Sequence, residues 1–537
     1  MMPLMIHFQR SRSIAAFTLL LAPYLAMAGW LCAHQRVQAA TGYLIAAALA
    51  AAALAWLARS ARLFFLLHFP LFVVATVFTA FAFTVGDLPS YPIAFVLMTT
   101  SWEEVSAFFT VWQYQRVLWA ALAVLVAYGA LAACLPRRAA AAAPGPFVRR
   151  AGIGAFAVLA AVSATDPIGF IEGMALSPLV GIASFAAGPL AEARLVVKGN
   201  LRAKVPYAAA RLRGEELHVL IIGESSRRDS WSVYGYGRPT TPYLESVLGE
   251  TILLGDAVAD ANATVYAVPM VLTGMNPEQF SMHAIHGNLI DLAKEAGYST
   301  SWFVNNDASI SYLLGMNADN SEYPHSSHAA IPRATPPDGL VLPSVLRQMG
   351  RRGVSQFIGL HLFGSHMGYS HRYPPGFARY GAPGYTAPTS VSPQVLLDTY
   401  DNTLLYMDWI FQQIIEAARK LDVPVTVSYI SDHGEELPSL DGRSGHGFAF
   451  YTPKSFEVPA FVWMNAAYRV AHPDKVMAMT ANRNKEIRSY EFFYSEADLM
   501  GIRWPGFVPA RSFASMRFTA DVTSRHIAAG NLVARIR

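Results

Sequence analysis

Apolar positions come in long unbroken runs through the first third of the chain and in short, punctuated runs afterwards. Four early runs approach the roughly 17 to 25 residues that a helix needs to cross a bilayer core: 13–33, 41–57, 63–85 and 117–135. A fifth run, 151–164, is shorter, with a re-entrant or interfacial helix as its alternative. The first run also fits a signal peptide, but three apolar runs follow it closely, which favours an uncleaved anchor. The pattern therefore predicts an α-helical membrane domain over 1–165 with five transmembrane helices, a membrane-surface connector over 166–212, and a soluble α/β domain over 213–537.

Charges between the runs set the orientation. With a cytoplasmic amino terminus, Arg10, Arg12, Arg59, Arg62, Arg137, Arg138, Arg149 and Arg150 lie inside. The opposite loops then hold mainly Arg36, Asp87, Glu103, Glu104 and Arg116, and five crossings deliver the soluble domain outside. The stretch 91–115 is too polar to span comfortably and reads as a segment lying along the outer interface. Residues 139–146 read as a plain linker.

The pattern changes beyond residue 213. Leu217 to Gly223 forms a short β-rich run that delivers Glu224, and Val423 to Ile430 forms another that delivers Asp432 and His433. Further strands are predicted at Thr300 to Val304 and Gln356 to Leu362, with helices at Leu289 to Ala296 and Leu397 to Arg419. Such alternation predicts a largely parallel central sheet covered by helices on both faces. Sites in these sheets lie beyond the carboxyl ends of the strands, where Glu224, His366, Asp432 and His433 all fall.

Composition narrows the chemistry. Hydrophobic residues make up 53% of the 537 positions, too many for an ordinary soluble enzyme of this length. The net charge of +4 comes without a basic stripe interleaved with aromatics, so nucleic acid is not an expected partner. Both cysteines, Cys32 and Cys134, lie in apolar runs, which excludes a disulfide framework and a cysteine-based zinc site in the soluble domain. Carboxylate and imidazole ligands together suit zinc or a similar first-row ion. Taken singly, Glu224 also reads as a helix cap or ion-pair partner, and Asp432-His433-Gly434 as a loop or cap.

Five ordered segments carry a resemblance: GESSRRDSWSVYGYGRPTTPYL (Gly223 to Leu244), NATVYAVPMVLTG (Asn262 to Gly274), LHLFGSHMGYSHRYP (Leu360 to Pro374), YDNTLLYMDWI (Tyr400 to Ile410), and SDHGEEL with a following GHG (Ser431 to Gly447). In order and spacing they resemble the phosphoethanolamine transferases that modify lipopolysaccharide, members of the alkaline phosphatase and sulfatase-like superfamily. The resemblance implies five transmembrane helices followed by a sulfatase-like catalytic domain in the periplasm of a Gram-negative inner membrane. It implies Glu224, Thr264, Asp432 and His433 as ligands of one zinc ion, with a second ion left open, and Thr264 as the nucleophile. His366 and His446 fall on family histidines that face the transferred phosphate or a second metal. The implied partners are a phosphatidylethanolamine donor, a lipopolysaccharide acceptor and membrane lipids, and the expected state is a monomer. The GESS-RR-D and YGYGRPTTP wording is closer to the branch acting on core sugars than to that acting on lipid A. The best-known lipid A enzymes also carry disulfides in the soluble domain, and this chain does not.

Alternatives stand beside each expectation. Ser225 and Ser226 rival Thr264 as nucleophile, and His446 also reads as a solvated loop residue. His361 and His371 read as structural or surface residues. Glu104, with Glu103, reads either as a partner for the ethanolamine ammonium or as a solvated loop charge. A phosphoglycerol transferase, another phosphoryl or sulfuryl hydrolase of the superfamily, and a non-catalytic membrane scaffold are the competing functions. A sulfatase is disfavoured because no C/S-x-P-S/A-R motif follows the first acidic ligand.

Overall fold

The computed structural model describes residues 2–33, 61–85, 112–134, 198–201, 206–211, 214–305, 309–323, 336–381, 392–437, 445–447, 451–528 and 531–536, with isolated positions between 40 and 54. The chain divides into one unit of residues 1–94 and 113–191 and a second of residues 95–112 and 192–537. The apolar run 151–164, the interfacial stretch 91–111 and most of the connector lie outside the described residues.

The first unit contains α1 (Met2–Ala33), α2 (Ala61–Val85) and α3 (Trp112–Cys134). Among the described residues, two helical stretches are long and apolar enough to cross a membrane, Arg62–Phe83 and Arg116–Cys134. Helices α1 and α3 begin well before the apolar runs that predict them. Their leading Arg and Gln residues are good helix formers, so the backbone ladder continues past the end of the apolar stretch. Inside this unit His68 is 1% exposed and bridges two helices' phenols, Tyr24 at 3.1 Å and Tyr128 at 3.3 Å. A polar side chain in an apolar bundle is retained at this depth only with such partners.

The second unit is built on β1 (Leu217–Gly223), β2 (Thr251–Leu254), α4 (Thr264–Thr273), α5 (Leu289–Glu295), β3 (Ser299–Val304), β4 (Asn320–Glu322), α6 (Leu342–Met349), β5 (Gln356–His361), α7 (Pro393–Arg419), β6 (Val425–Ser431), β7 (Ala460–Met464) and α8 (Glu491–Leu499). The seven strands form one sheet in the order β2-β7-β6-β1-β5-β3-β4. Strand β7 runs antiparallel to both its neighbours, and the other pairings are parallel. The sheet is largely parallel, as the sequence pattern predicts, and mixed through the one reversed strand β7.

Alternation along β1 explains the layers. Leu220 and Ile222 enter a core with α4, α5 and α8, while Leu217, Val219 and Ile221 enter the opposite core with α6 and α7. Both faces of β1 are thus covered, and all seven of its residues are buried. That is why the strand reads as a continuous apolar run rather than as alternating apolar and polar positions. Helix α7 starts at Pro393, which has no N–H to leave unsatisfied, behind a Ser392 hydroxyl that accepts from Val395 N.

Candidate metal centre and catalytic site

Three adjacent strands end together. Glu224 follows β1, Asp432 and His433 follow β6, and the turn carrying His366 follows β5; β1 pairs with both β5 and β6. Helix α4 aims its amino terminus at the same place, because its first residue, Thr264, donates its hydroxyl to Glu224 Oε2 at 2.9 Å. Four of the predicted residues thereby meet. His433 Nε2 is 3.3 Å from Thr264 Oγ1, 3.1 Å from Glu224 Oε1 and 3.4 Å from Asp432 Oδ2.

The backbone around these groups leaves no slack. A Cβ on Gly223 would lie 2.1 Å from the Tyr429 hydroxyl, and one on Gly364 would lie 2.8 Å from the Glu224 carbonyl oxygen. Only glycine lets the two turns pack this closely, and Gly364 also adopts a φ of +51°. Ser225 sits at φ +56° without that excuse. Its N–H donates to Asp432 Oδ1 at 3.2 Å and its carbonyl accepts from Tyr400 OH at 2.8 Å, which together hold the strained turn. The Asp338 carboxylate accepts from Phe363 N at 2.9 Å and Gly364 N at 2.8 Å, fixing the turn that presents His366.

Glu224, Asp432 and His433 are fully buried, whereas Thr264 is partly open. His433 Nδ1 lies 2.8 Å from the Gly434 carbonyl, so that nitrogen carries a proton and the Nε2 edge faces the carboxylates. Burial alone would lower the His433 pKa, but Asp432 and Glu224 outweigh it and lift it to about 10. Burial would raise Glu224, yet His433 holds it well below the carboxylate range; burial and the Glu224 charge push Asp432 well above it. Without a metal ion, the cluster thus keeps a proton on His433 to offset two crowded carboxyl groups.

The donor set fits a divalent ion. Asp432 Oδ2 is buried with no hydrogen-bond partner. Ligands at roughly 2.0 to 2.2 Å around a tetrahedral zinc stand roughly 3.3 to 3.6 Å apart, close to the separations found here. Glu224, His366 and His446 form a second group whose ligand atoms lie within 4.8 Å of one another. His446 Nδ1 is 2.6 Å from Glu435 Oε2, and Tyr369 OH donates to Glu435 Oε1 at 2.6 Å. The His366 and His446 rings are 4.8 Å apart, and burial with the neighbouring His446 holds His366 well below its ordinary pKa. His366 is therefore neutral rather than cationic in this form.

The remaining candidates separate. Ser226 Oγ accepts from Trp231 Nε1 at 2.8 Å, buried behind the site. Ser225 Oγ donates to Glu224 Oε1 at 2.8 Å and is itself fully buried, so Thr264 is the more accessible hydroxyl. Glu104 and Glu103 lie outside the described residues. His371 is exposed, but His361 is not a surface residue: it is fully buried with Nε2 3.8 Å from Glu224 Oε2. Glu435 is a second residue that sequence reasoning passed over, although it stands two places after His433 in the same motif.

A sequence model of the sulfatase family matches residues 217–502. Phosphoethanolamine transferase EptC of Escherichia coli K12 is 25% identical over 313 residues, covering 56% of this chain and 53% of that protein. Putative transferase YhbX of the same organism is 30% identical over 292 residues, covering 53% and 50% respectively. The chain spans about half the length of these curated relatives. Among solved structures, the integral membrane lipooligosaccharide phosphoethanolamine transferase A of Neisseria meningitidis superposes with a TM-score of 0.63 at 19% identity, over 84% of this chain and 90% of that one. The zinc complex of the C-terminal periplasmic domain of Escherichia coli EptC superposes with a TM-score of 0.54 at 22% identity, over 61% and 95%. These likenesses establish the shared fold, and with the family model covering more than half of its residues the chain belongs to the sulfatase family.

Proposed function

We propose that this chain transfers phosphoethanolamine from phosphatidylethanolamine to lipopolysaccharide through a covalent phosphothreonine at Thr264. One observation carries the reading: the partly open Thr264 hydroxyl sits at the first turn of α4, 2.9 Å from Glu224 and 3.3 Å from His433. The positive end of a helix favours a phosphate brought to its amino terminus. Glu224, Thr264, Asp432 and His433 would hold zinc, which when bound lowers the pKa of the hydroxyl and screens charge on the phosphoryl oxygens. His366 and His446 leave room for a second ion.

Glu224 accepts a hydrogen bond from the Thr264 hydroxyl and orients it, and the proton that Thr264 gives up goes to neutral His366. The threonine oxygen then forms a bond to phosphorus while the bond to the diacylglycerol oxygen breaks, and that oxygen takes a proton. His446, oriented by Glu435, and His366 face this exchange and serve as proton donor and acceptor. An acceptor hydroxyl or phosphate oxygen then attacks phosphorus, releases Thr264 and returns the proton. Glu104 is proposed to meet the ethanolamine ammonium. The relatives include proteins named as Kdo(2)-lipid A and lipooligosaccharide modifying enzymes, which supports a lipopolysaccharide acceptor, core sugar or lipid A. The names "integral membrane protein" and "periplasmic domain" support placing this chain in a Gram-negative inner membrane as a multi-pass protein with a periplasmic catalytic unit over 213–537.

Purified full-length protein is expected to release labelled diacylglycerol from fluorescent phosphatidylethanolamine, and Thr264→Ala to release none. Full turnover by that variant would refute the nucleophile. Mass spectrometry of the trapped wild-type intermediate distinguishes phosphoethanolamine from phosphoglycerol on Thr264.

A further inference from the structure

His361 ends β5 at the same sheet edge as Glu224, and Val304 of β3 pairs with it in parallel register. It is fully buried, and its Nε2 has no hydrogen-bond partner. That nitrogen lies 3.8 Å from Glu224 Oε2 and within 4.8 Å of an Asp432 carboxylate oxygen. On the other side of the ring, Nδ1 is 2.7 Å from Ser311 Oγ. Ser311 is itself fully buried, and its carbonyl accepts from the indole of the equally buried Trp302 at 2.9 Å.

The proton positions follow from this arrangement. Among the described residues the Ser311 hydroxyl has one hydrogen-bond partner, His361 Nδ1. If Nδ1 carried the proton, the buried hydroxyl would have no described acceptor, and a bare nitrogen lone pair would face two carboxyl groups. If Ser311 donates to Nδ1, the hydroxyl is satisfied and Nε2–H points at the carboxylates. The second assignment leaves fewer buried polar groups unmatched.

We propose that His361 is a positioning residue of the metal centre: its Nε2–H donates to the Glu224 carboxylate and holds it in the pose that binds the ion, while Ser311 fixes the required tautomer. At 3.8 Å the contact is too long for a hydrogen bond in the metal-free form. It closes when Glu224 turns to a bound cation, as outer partners of metal-binding carboxylates do. The inference rests on the metal site proposed above.

Zinc affinity of the full-length chain in detergent, measured by competition with a coloured chelator, is the test. His361→Leu keeps the volume and loses the donor, and should weaken zinc roughly 10- to 100-fold; His361→Gln restores an N–H near the Nε2 position and should recover most of that loss. Ser311→Ala, a milder change, should show an intermediate loss, and it carries the test if the leucine variant fails to fold. Cobalt substituted for zinc reports ligand number through its visible spectrum, which should be the same in wild type and His361→Gln. Absence of zinc binding by the wild type would defeat the metal centre itself. Normal wild-type binding with unchanged affinity in the leucine and alanine variants would overturn only the role of His361. A changed cobalt spectrum in His361→Gln would make His361 a direct ligand and overturn the positioning role.

Discussion

Burying a carboxyl group without a partner is costly unless the group stays neutral, and Glu496 shows this away from the metal centre. It lies in α8, fully buried, and neither oxygen has a hydrogen bond of good geometry, although the Ser428 hydroxyl lies near enough to favour the charged form. Burial raises its pKa to about 8, with Ser428 opposing. Because the folded value exceeds the unfolded one, the stability tied to this proton is fully present below about pH 4.5 and is lost as pH rises through about 8. At pH 8 the difference amounts to roughly 4 kcal/mol. Glu496→Met should therefore gain stability over wild type between pH 5 and about 8, and denaturant melts across that range should converge at acid pH. Equal differences at all pH values would refute the assignment. The same residue scale shows what sequence reading reaches. Glu224, Asp432 and His433 stand out because each is polar and follows an apolar strand. His361 obeys the same rule, being the last residue of β5, but it is followed by Leu362 and Phe363 rather than by a polar turn. Its position at the sheet edge was the available signal, and the apolar neighbours masked it.

Strands with two covered faces are legible as apolar runs, which is why β1, β3, β5 and β6 match their predicted positions to within two residues. Strand β7 escaped notice because five residues, AFVWM, carry no direction in their pattern. Only its pairing reveals the reversal. Short strands such as Glu486–Arg488 and Asp256–Val258, which pair with each other, are equally silent. They nevertheless support the segment that leads into Thr264. Arg488 is fully buried and its guanidinium bonds Asp260 at 2.6 and 2.7 Å and the carbonyls of Ser524 and Arg525 at 3.1 and 2.6 Å. Ile527 N donates to the Asp260 carbonyl, Asn262 N to the Ile527 carbonyl, and Gly447 N to the Asn262 carbonyl. One cation thus ties the carboxyl-terminal segment, the approach to Thr264 and the turn bearing His446 into a single strap. Arg488→Met should cost about 3 to 5 kcal/mol by leaving Asp260 buried and uncompensated. Adding Asp260→Asn should recover a measurable part of that loss in thermal or denaturant unfolding. Strictly additive losses would show that the two residues act independently.

At the scale of the whole molecule, composition alone separates an apolar amino-terminal unit from a globular unit that carries every described candidate for the chemistry. The proposed function gives this division a kinetic reason. A lipid donor is confined to a bilayer, so an enzyme anchored in that bilayer meets it at a high effective concentration, whereas a free domain must first find the surface. The zinc complex of Escherichia coli EptC is that of an isolated periplasmic domain with this fold, so the globular unit here is expected to fold without the amino-terminal unit. Residues 206–537 expressed alone should therefore bind zinc as the full chain does. On vesicles containing phosphatidylethanolamine, this fragment should turn over about 100-fold more slowly or worse. On a water-soluble phosphodiester, which gains nothing from confinement, fragment and full chain should agree to within a small factor. Comparing the two substrate ratios separates tethering from catalysis: equal slowing on both would mean that the membrane unit shapes the active site itself. Equal rates on vesicles would mean that the globular unit recruits the donor without the anchor.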